Sequence, residues 1–182
     1  FIRYAWRSSI NGELHNGTEA NFTLAASQLT QGGHTIYFKV QNENGDWSLE
    51  ASRTLTILPP NQSPSASVES IAPNPVTQGA NVTFTGSASD SDGTVVAYEW
   101  ESSLNGFLSN QPSFSYNSSL LTVGNHTITF RAQDNDGNWS EYATSWLEVL
   151  PDSDGDGVAD VSDLFPGDPD EWADADGDGV GD

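Results

Sequence analysis

The stretch "GNHTITFRAQDNDGNWS", Gly124–Ser140, decides the fold. Ile128, Phe130 and Ala132 alternate with Thr127, Thr129 and Arg131. A period of two puts the apolar side chains on one face of a strand and the polar ones on the other. The run breaks at "DNDGN", Asp134–Asn138, where Asp, Asn and Gly favour a turn. One apolar face and one polar face are what two packed antiparallel sheets require.

The same pattern stands earlier in the chain. "GHTIYFKVQNENGDWS" (Gly33–Ser48) matches it, and "YAWRSSINGEL" (Tyr4–Leu14) matches "YEWESSLNGFL" (Tyr98–Leu108). "LTILPP" (Leu55–Pro60) corresponds to "LEVLPD" (Leu147–Asp152). Equivalent residues lie 92 to 94 positions apart, a period that suits a sandwich domain better than a short solenoid repeat.

The second copy is complete over residues 61–150. Val82, Phe84, Gly86 and Ala88 alternate with Asn81, Thr83, Thr85 and Ser87. Val96, Tyr98 and Trp100 are expected on one face of the next strand. A short strand is expected near Phe114 and Tyr116, and a last one from about Glu141 to Leu150. The first copy, residues 1–60, starts at Ile2, Tyr4 and Trp6 and lacks its first two strands. Such a sandwich exposes core and an open edge. Either the chain is a piece cut from a longer polypeptide, the preferred reading, or a neighbouring chain supplies the strands. The linker "LPPNQSPSA" has three prolines and is expected to be extended and stiff.

The repeat resembles the PKD-type (polycystic kidney disease) domains of archaeal and bacterial surface proteins. The resemblance is carried by "VTFTGSASDSDGTVVAYEW", by "GNHTITFRAQDNDGNWS" and by the closing strand. It covers residues 61–150 fully and 1–58 in part. The family's Trp-Asp-Phe-Gly-Asp-Gly core is replaced here by "WESSLNG" (Trp100–Gly106). The resemblance implies an all-β, immunoglobulin-like antiparallel sandwich. It also implies work as a spacer, adhesion module or binding accessory rather than as a catalyst.

Composition narrows the partners. The 182 residues carry 26 acidic and five basic side chains, a formal charge of −21. Nucleic-acid binding and polybasic membrane contact need the opposite sign, so neither is expected. Small cations are the expected partners. Cysteine and methionine are absent, even at position 1. No apolar run is long enough to insert in a membrane.

Twelve of the acidic residues fall in Pro151–Asp182, "PDSDGDGVADVSDLFPGDPDEWADADGDGVGD". Counted from Asp152, positions 1, 3, 5, 9 and 12 are Asp152, Asp154, Asp156, Asp160 and Asp163. Gly157 at position 6 permits a sharp turn, and Val158 at position 7 offers its carbonyl. Oxygens so spaced can wrap a hard cation such as Ca²⁺. The pattern restarts 22 residues later at Asp174, Asp176, Asp178, Val180 and Asp182, with its twelfth position beyond Asp182. A random acidic run would not repeat Gly and Val in matching slots. An EF-hand would need flanking helices, which Pro151 and "FPGDPDEW" oppose.

Residues 151–182 instead resemble thrombospondin type 3 repeats, through "DSDGDGVADVSDLFP" and "DADGDGVGD". In that family an irregular chain wraps a row of calcium ions. The resemblance makes Phe165, Pro166 and Trp172 the local apolar packing, and Asp168, Asp170 and Glu171 further candidate ligands.

A second calcium site is a weaker expectation. "SDSDG" (Ser89–Gly93) and "DNDGN" (Asp134–Asn138) are placed at one end of the sandwich. By resemblance to PKD domains of secreted bacterial proteases, Asn61, Asp90 and Asp92 are candidates, with Asp134 or Asp136. The competing reading is ordinary Asp-Gly turns. Seven Asn-x-Ser/Thr triplets, at Asn16, Asn21, Asn61, Asn81, Asn117, Asn125 and Asn138, are either chance products of composition or glycosylation sites.

No nucleophile or phosphate-loop motif is present, and the carboxylates have metal-loop spacing, so no enzyme is expected. The sequence thus predicts a calcium-binding extracellular stalk, spacer or filament unit that can contact copies of itself or cell-surface glycans and proteins. The alternatives are an accessory region of a secreted hydrolase and a glycan- or protein-binding module.

Overall fold

The computed structural model describes residues 2–175 and 179. Regular structure among them is strand, apart from short 3-10 turns at Ala26–Gln28 and Ser118–Leu120. The chain forms two compact units, Phe1–Pro60 and Asn61–Asp182.

The first unit holds β1 (Arg3–Ser8), β2 (Gly12–Gly17), β3 (Gly32–Gln41) and β4 (Ala51–Ile57) in one sheet, ordered β2-β1-β3-β4. Every pairing in it is antiparallel. Aromatic and β-branched side chains such as Trp6, Phe38 and Ile36 suit a pleated, half-buried surface.

The second unit is a two-layer sandwich of β5 (Ser65–Ala72), β6 (Val76–Thr77), β7 (Asn81–Ser89), β8 (Val95–Ser102), β9 (Gly106–Ser109), β10 (Ser113–Asn117), β11 (Gly124–Asp134) and β12 (Ala143–Leu150). One sheet is β10-β7-β5 and the other β6-β12-β11-β8-β9. The alternation read from the sequence is realised: Val82 and Phe84 of β7 face Trp100, Ile128 and Phe130 of the opposing sheet in one buried cluster. Burial of each such side chain stabilises by about 1.5–3 kcal/mol. The Trp100 indole packs at a tilt against Phe130 with centroids 4.4 Å apart, and its Nε1 donates to the Gln111 carbonyl at 3.0 Å. Gly86 is required where β7 crosses this pair. A Cβ there would lie 2.7 Å from the Phe130 ring and 2.8 Å from that of Trp100.

One expected face is only partly buried. Tyr98 and Trp100 join the core, but Val96 is 59% exposed. The register of β8 against β11 shifts between Gln133 and Asp134, at that end of the strand. A bulge of this kind bends the strand and re-aims its side chains.

A buried polar staple recurs in both units, and the strand alternation alone does not predict it. Ser102 Oγ accepts from the Leu104 and Asn105 backbone N–H groups at 3.2 and 3.4 Å. Its hydroxyl proton therefore points to His126 Nδ1, 2.7 Å away, while His126 Nε2 donates to the Thr122 carbonyl at 2.6 Å. Ser8, His34 and Thr30 repeat the arrangement, with both distances 2.6 Å. Each histidine ties a tight turn to the central strand. His126→Leu leaves the buried Ser102 hydroxyl proton without its acceptor and the Thr122 carbonyl without its imidazole donor. The expected loss is about 1–3 kcal/mol, measured by urea unfolding.

Candidate metal centre

β12 ends at Leu150, and Pro151 leads directly into the acidic loop. From Pro151 to Ala175 the described chain has turns and bends but no helix or strand. Two glycines make this path possible, since Gly155 (φ 85°) and Gly157 (φ 96°) occupy the left-handed region.

The loop folds back on its own carboxylates. Asp152 accepts from Gly155 N–H at 2.8 Å and from Gly157 N–H at 3.1 Å. Asp154 Oδ1 accepts from Asp156 N–H at 3.2 Å, and Asp156 Oδ1 from Val158 N–H at 2.7 Å. One carboxylate oxygen from each of Asp152, Asp154 and Asp156 lies within 4.8 Å of the other two. Among the described residues this is the one such group of three. The second oxygens of Asp154 and Asp156 are buried and have no hydrogen-bond partner, as is Asp163 Oδ2. Buried carboxylate oxygens without a donor are costly, and a cation removes that cost. The donor set is all oxygen, which suits a hard cation.

The remaining predicted ligands fall in different places. Asp160 is engaged otherwise: its two oxygens accept from Ser153 N–H and Ser153 Oγ, both at 2.7 Å. Asp160 thus clamps the loop mouth, assisted by its own N–H to the Pro151 carbonyl at 3.0 Å. Asp163 Oδ1 caps Phe165 N–H at 2.8 Å. Val158 is half-buried and Ala159 buried. Ala159 supplies local packing, whereas Pro166 and Trp172 are exposed and Phe165 is half-buried. Asp168 and Asp170 are exposed, Glu171 is half-buried, and none joins the group of three. In the second loop Asp174 Oδ2 accepts from Gly179 N–H at 2.9 Å, the counterpart of the Asp152–Gly157 bond. Asp176, Asp178, Val180 and Asp182 lie outside the described residues.

The sandwich loops form a second polar cluster. Asn61 Nδ2 donates to Asp134 Oδ2 at 2.8 Å, and Gln62 N–H to Asp92 Oδ2 at 3.2 Å. The start of the unit, the β7–β8 loop and the β11–β12 loop therefore meet. Asp90 Oδ2 is buried without a partner, beside Gly93, where a Cβ would lie 2.7 Å from it. Asn61 presents its nitrogen to Asp134, and Asp134 Oδ1 is taken by the Asp136 and Asn138 N–H groups at 2.9 and 2.8 Å. Asp136 is exposed. Asn135 was not among the expected residues; its Oδ1 accepts from Thr94 N–H at 2.7 Å and joins the two loops.

Burial pushes the Asp134 carboxyl up, but hydrogen bonds from Asn61 and from the backbone of Asn138, Asp136 and Gly137 outweigh it. The group is held below its ordinary range. A lowered folded pKa stabilises the fold above the ordinary carboxylate value of about 3.9, and that stability is lost as pH falls through the folded value. Asp134→Asn is expected to flatten this acid limb in a stability–pH profile, while an unchanged limb would place its origin elsewhere.

Of the sequon asparagines, Asn16, Asn21, Asn81, Asn125 and Asn138 are exposed. Asn61 and Asn117 are half-buried with their amide nitrogens donating, Asn117 to the Gly79 carbonyl at 2.8 Å.

The PKD domain family matches residues 65–145. No curated protein matches the chain. Among solved structures, the PKD1 domain of Vibrio anguillarum Epp is 25% identical, covering 50% of this chain and 99% of its own, with a TM-score of 0.39. The fibronectin(III)-like modules of Clostridium thermocellum CbhA are 16% identical, covering 82% and 78%, with a TM-score of 0.45. A structure from a 1.5-MDa bacterial ice-binding adhesin is 15% identical, covering 84% of this chain and 54% of that one, with a TM-score of 0.50. Its likeness is one of fold. The sandwich geometry and the family match together support a PKD-type domain over residues 65–145 of an all-β chain.

Proposed function

We propose that the chain is a calcium-dependent structural segment of an extracellular or cell-surface protein. A partial PKD-type unit at residues 1–60 and a PKD-type sandwich at 61–150 act in it as spacer or adhesion units. A thrombospondin type 3-like loop segment, 151–182, is ordered by the ion. The observation that carries this reading is the convergence of Asp152, Asp154 and Asp156, with buried oxygens of Asp154 and Asp156 lacking any donor. These three residues, with Asp163 and the Val158 carbonyl as further candidates, would hold the ion. The Asn61, Asp90, Asp92 and Asp134 cluster is the weaker site. Metal binding then supplies folding energy to a loop whose own charges repel. The fold relationship with an adhesin structure is consistent with work at a surface.

Calorimetry and circular dichroism, with and without chelator, test the reading. Binding is expected with Kd on the order of 10⁻⁴–10⁻³ M, the range of extracellular modules. At a hundredfold excess over Kd the ordered loop gains about 2.7 kcal/mol. The absence of both binding heat and a spectral change on adding calcium would overturn it. A glycan-binding role has one observation in its favour: Phe107, Tyr142 and Trp146 are exposed large aromatics on or beside the β9-β8-β11-β12 face turned from the core. A glycan array decides that role.

A further inference from the structure

Each unit carries one cation at the same place on the outer face of its central strand, and the two are neutralised differently. In the second unit Arg131 of β11 stands opposite Glu99 of β8. Arg131 Nε donates to the Glu99 carboxylate at 2.6 Å, and the guanidinium lies 4.4 Å over the Trp139 ring. In the first unit the counterpart is Lys39 of β3, whose Nζ lies 4.6 Å over the Trp47 ring. The residue opposite Lys39 is Ala5, where the second unit has its glutamate. Among the described residues Lys39 has no ion pair. Glu50 is spent on Arg7, whose Nε and Nη2 donate to its two oxygens at 3.0 and 2.7 Å.

The place of the missing carboxylate is open. Ala5, Lys39 and Trp47 line a cleft of about 460 Å³, with Arg7, Glu13 and Glu50 around them. Sites for small ligands run from about 300 to 1,000 Å³. In the second unit the same face points away from the β10-β7-β5 layer, so a complete sandwich leaves it uncovered too.

We propose that this cleft binds a sugar acid, a hexuronate residue of an acidic glycan, with its carboxylate in the position that Glu99 fills in the second unit. The carboxylate lies over the Ala5 methyl and bonds Lys39, and a bond between two charged groups is among the stronger ones. The C–H face of the sugar packs against the Trp47 indole, which is 38% exposed. Glu13 and Glu50 accept from the ring hydroxyls, and Arg7 Nη1 keeps its donors, since Nε and Nη2 serve Glu50. The same two glutamates repel a run of acidic side chains, so a sugar acid suits the cleft better than an acidic peptide. The first unit holds four of the five basic side chains and five of the 26 acidic ones. Repulsion of an anion by the rest of the chain is screened over about 8 Å at physiological salt. The site uses none of the exposed aromatics of the second unit, and it does not depend on calcium.

Titration calorimetry of the full chain with a short oligogalacturonate, in the presence of chelator, tests the proposal. A neutral oligosaccharide of the same length and a polyaspartate peptide are run beside it. Binding of the uronate at a single site is expected, tighter than either control by about tenfold, the worth of one hydrogen bond between charged groups. Lys39→Gln is expected to remove that advantage. Ala5→Glu supplies an internal carboxylate opposite Lys39 and is expected to do the same, with an unchanged circular dichroism spectrum. The two variants lie on different strands, so either decides the matter should the other perturb the sheet. Equal binding of the neutral oligosaccharide, or tighter binding of the peptide, overturns the proposal. So does undiminished binding by a folded variant, or no binding of the uronate at millimolar concentration. Chelator keeps this outcome separate from that of the calcium titration.

Discussion

Trp100→Ala is expected to destabilise the second unit by about 3–5 kcal/mol, the range for emptying a large aromatic site in a packed core. Trp100 is fully buried between Phe84, Phe114 and Phe130, with ring centroids 4.4–5.9 Å away. Its removal also leaves the Gln111 carbonyl without its indole donor. A small domain has about 5–15 kcal/mol in all, so the loss is a large fraction of the total. The paired variant Trp6→Ala is expected to cost less, because its ring is already partly in water and its Nε1 bonds nothing. Hydrogen-exchange protection of β11 in one variant and of β3 in the other measures the two losses separately. Equal losses would mean that Trp6 is as well covered as Trp100.

That contrast also shows what the sequence made readable. The alternation of Ile128, Phe130 and Ala132 named the buried face correctly, since all three are fully buried. β5, "SASVESIA", escaped the strand reading because serine fills its outward positions and a register shift between Val68 and Ser70 breaks its period. β6 is two residues long and pairs in parallel with β12, a tertiary choice with no local signature. The Ser102–His126 staple joins residues 24 apart whose neighbours are strand-like, so nothing local marks them as partners.

Replacing Asp154 and Asp156 together by alanine is expected to lower calcium affinity by more than the 10–100-fold that loss of an outer-shell partner costs. Both residues contribute to the trio of converging oxygens, and both keep a second oxygen buried without a donor. Asp160→Ala is the discriminating control. Its carboxylate is spent on Ser153, so its removal is expected to loosen the loop mouth and weaken binding by a smaller factor. Titration calorimetry of the two variants side by side reads the difference. If Asp160→Ala is as damaging as the double substitution, the assignment of roles within the loop fails. The spacing of aspartates and glycines pointed to Asp152, Asp154 and Asp156, whose oxygens converge, because that is the period a wrapped ion would impose. It could not separate Asp160 from them, since a ligand and a clamp are the same residue type at the same spacing. The Asn61–Asp134 contact was readable only as a neighbourhood; which atom of the amide faces the carboxylate is settled by the hydrogen bonds around it.

The short parallel pair of β6 and β12 has a mechanical meaning. Val76 and Thr77 lie beside Val149 and Leu150, and Gln78 N–H donates to the Leu150 carbonyl at 2.9 Å. Just ahead of them the Asn74 side chain donates to the Trp146 carbonyl at 2.9 Å and accepts from Glu148 N–H at 3.1 Å. Tension entering at Asn61 and leaving at Pro151 reaches these parallel segments from opposite ends. It slides one along the other instead of peeling them apart, so the bonds share the load and yield together. Forced extension is governed by the rate of such a rupture rather than by equilibrium stability. The patch that anchors the mouth of the acidic loop is thus also a shear clamp for the sandwich behind it.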